Sequence, residues 1–252
     1  IIKRQYDLSK YGELKILLKK TRPDLILNCA AIVDIDYCEK FKKKSKIINF
    51  NLVERLFKIK KKNNLNFQLI QFSTDHVYDG KKGINNKESA KLFFNNEYAH
   101  QKYLAENICL KNKAIVFRTN FFGKSIKNVG FSDWLYKVFS SKEDKPIFLF
   151  DDVYFSPLRI NTIADIMSKL ILKKKNLKKF GTYNLCSKYG ISKKLFALKF
   201  AKDCGLNKKK KKIIFKKVNN VLTVKRSKNM KMCWKKFQAT FNINLNYLSN
   251  EI

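Results

Sequence analysis

Helical spacing and short apolar runs alternate along the chain from Tyr6 onward, the pattern of a parallel sheet flanked by helices. Leu14, Leu17 and Leu18 share one face of a predicted helix that Ser9 would cap and that ends before Arg22-Pro23. Leu25-Ile26-Leu27 reads as a strand covered on both faces, closing in the small-residue turn Asn28-Cys29-Ala30-Ala31, which a ligand can approach closely. A second helix, roughly Ile47 to Lys62, leads to a strand at Phe67 to Phe72 that stops at Ser73-Thr74-Asp75. A third helix begins near Tyr98 and feeds the strand Ala114 to Phe117, which stops at Arg118-Thr119-Asn120. Three successive strands thus end in small or polar residues, and that carboxyl edge is where open α/β sheets bind ligands.

After about Phe122 the rhythm becomes irregular and aromatic, with Phe131, Trp134, Phe148, Phe150, Tyr154 and Phe155. A smaller lobe packed on the first is expected here, its aromatics mainly core and Asp133 and Trp134 candidates for its mouth. Further units follow: a helix near Ile163 to Leu172, a strand at Tyr183-Asn184-Leu185, and a helix opened by Ser192 with Leu195, Leu198 and Phe200 among its apolar positions. The division expected is residues 1–125 for the sheet domain and 126–252 for a lobe interleaved with the sheet's last elements.

Composition narrows the function classes. A net charge of +35 points toward polyanions, yet only six of the 55 basic residues are Arg and the lysines are spread along the chain. The densest run, Lys208 to Lys212, reads as a solvated loop or helix end, and no nucleic-acid partner is expected. The six cysteines form no CxxC pair and only two histidines are present, which favours reduced, mostly buried thiols over a zinc site and suits a cytoplasmic protein. No apolar run reaches the ~18 residues needed to cross a bilayer, so no membrane association is expected. The sequence opens on Ile1 without a signal-peptide pattern, and the expectation is a fragment of a longer chain.

The sharpest chemical signal is Tyr98-Ala99-His100-Gln101-Lys102. Residues four apart share a helix face, which sets a phenol beside an ammonium; an adjacent cation favours the phenolate and brings a group that ordinarily titrates near 10 closer to neutrality. Tyr98 is then a candidate general acid or base, and the Thr74 hydroxyl at a strand end is a candidate partner for the same substrate oxygen. A YxxxK pair by itself is a weak signal, equally met on ordinary helix surfaces.

Taken in order, Asn28-Cys29-Ala30-Ala31, Phe72-Ser73-Thr74-Asp75-His76-Val77-Tyr78-Asp79-Gly80, Tyr98-x-x-x-Lys102 and Arg118-Thr119-Asn120-Phe121-Phe122-Gly123 resemble successive motifs of the dTDP-4-dehydrorhamnose reductase (RmlD-like) branch of the extended short-chain dehydrogenases/reductases. The similarity runs from about Tyr6 to Leu245. It implies a Rossmann-like, doubly wound parallel sheet, incomplete at its N-terminus, with a smaller α/β substrate-binding lobe. The implied catalytic set is Thr74, Tyr98 and Lys102, with Tyr98 handing a proton to a carbonyl oxygen as hydride arrives from the nicotinamide. The implied cofactor is NADPH, with NADH as the alternative, held by Asp7, Leu8, Ala30, Ala31, Ile32, Val33, Phe72, Tyr98 and Lys102. Thr74, Asp75 and Phe121 would meet a nucleotide-sugar substrate, and a homodimer is the candidate assembly. The same Tyr and Lys also serve NAD-dependent epimerases and dehydratases, and some members of the fold act only by binding.

Two departures bear on this resemblance. His76 stands where the best-known reductases carry tyrosine, and is read as a structural imidazole or pocket wall. The family's opening glycine-rich turn, which holds the cofactor pyrophosphate on a helix N-terminus, has no match among the eight glycines, so weak or no NADPH binding is expected of the chain as it stands. Asp34, Asp36 and Glu39 are read as exposed acids at a helix start rather than metal ligands, and Cys29 as a small buried thiol.

Overall fold

The computed structural model describes residues 6–126, 130–143, 145–206 and 212–252. The run at Lys208 to Lys211 lies outside the described residues. The chain opens with α1 (Tyr11–Thr21), β1 (Leu25–Asn28), α2 (Ile35–Lys40) and α3 (Lys42–Lys46). A π-helical turn at Ile47–Asn51 runs into α4 (Leu52–Lys62), followed by β2 (Gln68–Thr74), α5 (Glu97–Lys111) and β3 (Ile115–Thr119). Next come β4 (Phe121–Phe122), α6 (Phe131–Ser140), β5 (Ile147–Phe150), β6 (Tyr154–Phe155), β7 (Leu158–Arg159) and α7 (Ile160–Leu172). The path closes with β8 (Gly181–Leu185), β9 (Ile191–Ser192), α8 (Lys193–Asp203), β10 (Ile213–Lys216) and α9 (Lys235–Phe241).

Four parallel strands in the order β1-β2-β3-β8 make the central sheet. Period-two alternation divides its side chains between two cores. Leu69 and Val116 face a layer built by α1, α4 and α5, with Leu14, Leu56 and Ala105 among its members. Ile70, Ile115 and Phe117 face the opposite layer, where Ile166 and Leu170 of α7 meet Phe237 and Phe241 of α9. Helices therefore cover both faces, as a doubly wound sheet requires. β8, α7 and α9 come from the second half of the chain and complete the sheet domain. A separate core joins Phe122, Leu135, Phe139, Leu149, Phe155 and Phe196, built on α6, α8 and the parallel pair β5–β10.

Several local expectations change. Ser9 is not the cap of α1: Lys10 occupies that position, and the Ser9 amide instead donates to Asp7 Oδ1 (2.9 Å). β1 is covered on both faces, Leu25 packing toward one core and Ile26 toward the other, and it ends the strand order among the described residues, with Leu27 38% exposed. Ser192 does cap α8, its hydroxyl accepting from the Leu195 amide, but the buried face carries Phe196, Ala197 and Ala201 while Leu195 points outward. Of the six aromatics, Phe155 is buried and Phe131 and Phe150 pack half-buried against buried clusters, while Trp134, also a candidate for the mouth, and Phe148 are each 39% exposed. Among the described residues no helix is long and apolar enough to cross a membrane.

Candidate functional site

The register Thr74↔Thr119↔Leu185 brings three strand ends level, and the residues just beyond them form the floor of the site. After Thr74 the chain turns through a single 3-10 turn, Asp75–Val77, fixed by the His76 amide donating to the Thr74 hydroxyl (3.2 Å). Asp75 is fully buried and accepts from Asn120 Nδ2 (2.8 Å) across the strand ends. Phe121, the next residue on that side, is 55% exposed at the rim.

Tyr98 is delivered by the first turn of α5, whose start is fixed twice: Asn96 Oδ1 accepts from the Ala99 amide (3.0 Å), and Glu39 accepts from the Glu97 amide (2.9 Å). Its ring is buried and meets the His76 ring edge-on, with centroids 5.9 Å apart. Burial pushes the Tyr98 phenol above its ordinary range, and the Thr74 hydroxyl offsets this in part through a hydrogen bond. The expected lowering of the phenol by Lys102 is absent. The Lys102 ammonium donates instead to the Phe72 carbonyl (2.6 Å), and burial brings its own pKa down to about 8.

Thr74, Asp75, Tyr98, Lys102 and the Phe72 carbonyl thus meet at one end of β2. The turn Ala30 to Val33 extends from the neighbouring strand, tied to α5 through Asn49, which accepts from the Ile32 amide (2.8 Å) and donates to Gln101 Oε1 (3.1 Å). Asp7 and Leu8 lie apart from this cluster, just before α1, where Leu8 packs into the α1–α4 layer. Cys29 is exposed rather than buried, next to Lys102, and partial burial raises its thiol while the lysine charge opposes the rise. All six cysteines are free, and no group of three or more His, Cys, Asp or Glu residues is placed to hold a metal among the described residues.

Asp34 caps α2 by accepting from the Tyr37 amide (2.9 Å) and Asp36 in its first turn pairs with Arg226 (2.7 Å), as expected of helix-start acids, whereas Glu39 lies in the last turn, half-buried, and pairs with Lys42 (2.7 Å). His76 Nδ1 is buried without a hydrogen-bond partner, and burial with the charges of Lys193 and Arg226 holds the imidazole neutral, its pKa down to about 3. Asp133 is engaged by Ser125 Oγ (2.6 Å) and the Gly130 amide (3.0 Å), while Trp134 lines a cavity beside it.

Sequence reasoning passed over four contributors: Asn49, Glu106, Asn120 and Lys193. Glu106 was within reach, since positions 98, 102 and 106 continue one helix face. Asn120 sits one residue past a strand end. The other two carry no local signal.

The residues present suit the nicotinamide-ribose end of a dinucleotide. The buried Lys102 ammonium uses one of its three donors on the Phe72 carbonyl, and the Ala30 to Val33 turn opens next to it. The sequence contains no glycine-rich turn for the pyrophosphate.

Asp75 gives a measurable pH signature. Burial raises its carboxyl from 3.8 to about 7, so between those values the folded state holds a proton that the unfolded chain has lost, and stability falls as pH rises through this window. Asp75→Asn retains an amide to meet Asn120 and removes the titration. Melting temperatures recorded from pH 4 to 8 are expected to fall less steeply in the variant than in the parent; parallel curves would refute the buried, protonated carboxyl.

Comparison with known proteins agrees with this fold. A probable low-salt glycan biosynthesis reductase of Haloferax volcanii is 25% identical over 207 residues, 80% of this chain and 66% of that protein. The crystal structure of dTDP-4-dehydrorhamnose reductase from Bacillus anthracis in complex with NADP superposes with a TM-score of 0.86 at 20% identity, over 100% of this chain and 86% of that one. A hypothetical dTDP-4-dehydrorhamnose reductase from Sulfolobus tokodaii superposes at 0.78 with 28% identity, over 95% of this chain and 82% of that one. The chain spans between half and just under two thirds of the length of the curated relatives it matches. With the parallel sheet, the strand-end threonine and the buried Tyr98–Lys102 face in place, and residues 1–252 matching the family described as RmlD substrate binding domain, the chain belongs to that family.

Proposed function

We propose that the protein is an NADPH-dependent reductase of a nucleotide-linked 4-keto sugar, acting in deoxysugar or polysaccharide synthesis. The observation that carries this reading is the convergence of Thr74, Tyr98 and Lys102 at the end of β2, between the open Ala30 to Val33 turn and the aromatic lobe. Relatives named as reductases of dehydrorhamnose and of glycan synthesis support the substrate class.

In this reading Tyr98, kept protonated by burial, is ready to donate to the substrate carbonyl oxygen, and Thr74 orients that oxygen through its hydroxyl. Lys102 holds the cofactor ribose with its remaining donors, and Ala30 to Val33 border the cofactor by their backbone, with Asp7 and Leu8 on its adenine side. The bound nicotinamide supplies the hydride. Asp75 and Phe121 border the sugar nucleotide, Asp75 as an acid that burial holds toward its neutral form and whose place is set by Asn120.

The test is to mix the protein, NADPH and a dTDP-linked 4-keto-6-deoxy sugar and to follow absorbance with product analysis. One NADPH consumed per ketone reduced is expected. Sugar conversion without net cofactor consumption would assign an epimerase or dehydratase instead, and absence of both cofactor and sugar-nucleotide binding would assign a binding relative.

A further inference from the structure

Lys193 occupies a position that fold stability alone disfavours. It is the first residue of α8, where the helix dipole presents positive charge, and Lys194 follows it with no acidic residue in that turn. Its amide is fastened to the Val153 carbonyl (2.8 Å), and the residue is half-buried. The ammonium lies 5.1 Å from the centroid of the Phe131 ring and 5.9 Å from that of Phe155. Among the described residues it makes no hydrogen bond and no ion pair.

Its electrostatic surroundings are Asp75, which favours the charge, and Arg226, which opposes it. Asp75 is itself held toward its neutral form by burial, so the cation is poorly compensated. Burial above all, with the charges of Lys193 and Arg226 adding to it, keeps His76 unprotonated, so the imidazole does not add to the positive charge between the strand ends and the second lobe. On its other side Lys193 borders an apolar cavity of about 290 Å³ walled by Phe131, Trp134, Phe148, Leu149 and Phe150. An unpaired, half-buried cation at a positive helix end between an aromatic cavity and a catalytic edge is an anion site awaiting its counter-charge.

We propose that Lys193 selects the substrate by holding the diphosphate of the nucleotide-linked sugar. This rests on the reading of the protein as a sugar-nucleotide reductase. In such a substrate the diphosphate is the anionic link between an aromatic base and the reacting sugar, and Lys193 stands between an aromatic-walled cavity and the Thr74–Tyr98 edge. The aromatic rings stiffen the lysine stem and exclude water, which strengthens each charge-assisted hydrogen bond to a phosphate oxygen.

Calorimetry with thymidine 5′-diphosphate, uridine 5′-diphosphate, UDP-glucuronate and thymidine is the test, on the parent protein, Lys193→Met and Lys193→Arg, with melting temperatures and NADPH-dependent ketone reduction recorded on the same samples. Loss of one charge-assisted contact is expected to weaken diphosphate binding about 10- to 100-fold in Lys193→Met. Thymidine binding stays unchanged, the melting temperature is equal or higher, and Lys193→Arg retains most of the affinity. Equal diphosphate affinity in the parent and Lys193→Met overturns this proposal alone. A loss confined to a carboxylated sugar nucleotide, UDP-glucuronate, with the diphosphates unaffected, overturns it in favour of a sugar carboxylate. A parent protein that binds no diphosphate removes both this proposal and the reductase reading, whereas a Lys193-dependent diphosphate site without ketone reduction removes only the latter.

Discussion

Tyr98→Phe is expected to lower the rate of ketone reduction by about 10²- to 10⁴-fold, the usual contribution of a positioned general acid. Substrate affinity and melting temperature should change little. The substitution removes one oxygen and keeps the ring that packs edge-on against His76, so the start of α5 retains its contacts. Burial keeps the phenol in the donating form, beside the Thr74 hydroxyl that would orient the carbonyl. The informative measurement is a single turnover at saturating NADPH and sugar nucleotide, which isolates the chemical step from product release. A variant that retains more than about a tenth of the parent rate would exclude Tyr98 as the general acid. Thr74→Val provides the complementary comparison, because it deletes the orienting hydroxyl while the donor remains.

Much of this arrangement was legible in the chain. The runs ending at Asn28, Thr74 and Thr119 announced buried parallel strands, since a strand covered by helices is apolar throughout until it reaches the ligand edge. Ser192 announced α8 because an N-cap hydroxyl bonds its own helix, which is a local event. What depends on distant neighbours was not legible. The inward phase of α8, carried by Phe196 and Ala201 rather than Leu195, is set by the lobe it packs on. The Tyr98–Lys102 spacing correctly placed both residues on one buried helix face, yet not the direction of the ammonium, which the Phe72 carbonyl of β2 decides. Lys193 was masked by composition: in a chain with 55 basic residues, one lysine set between two lobes has no sequence signature.

Glu106→Ala should destabilise the fold by about 3–5 kcal/mol, the range expected when one partner of a buried ion pair is deleted and the other is left uncompensated. Glu106 is 1% exposed and Arg118 4% exposed. The guanidinium meets the carboxylate through Nη2–Oε2 at 2.6 Å and through Nε at 3.0 and 3.1 Å, and Ser73 donates to the same carboxylate from β2. Arg118 continues through Nη1 to the Tyr78 hydroxyl (2.7 Å), which donates to Asn184 of β8 (2.9 Å). One carboxylate on α5 therefore ties the helix bearing Tyr98 and Lys102 to β2, β3 and β8, directly beneath the strand ends of the site. The net worth of the pair is far smaller than the cost of breaking it, because both charges were desolvated to form it. Replacing both partners by apolar residues of similar shape, Glu106→Leu with Arg118→Met, is accordingly expected to recover most of the stability lost by Glu106→Ala. Urea denaturation of the single and double variants measures both quantities. A single variant within about 1 kcal/mol of the parent would mean that the Arg118 charge finds adequate compensation from Tyr78 and the Glu88 carbonyl, which it also contacts (3.3 Å). The double variant also separates stability from positioning: if it is folded but impaired in ketone reduction, the network sets the distance between Thr74 and Tyr98 as well as holding the sheet to its helix.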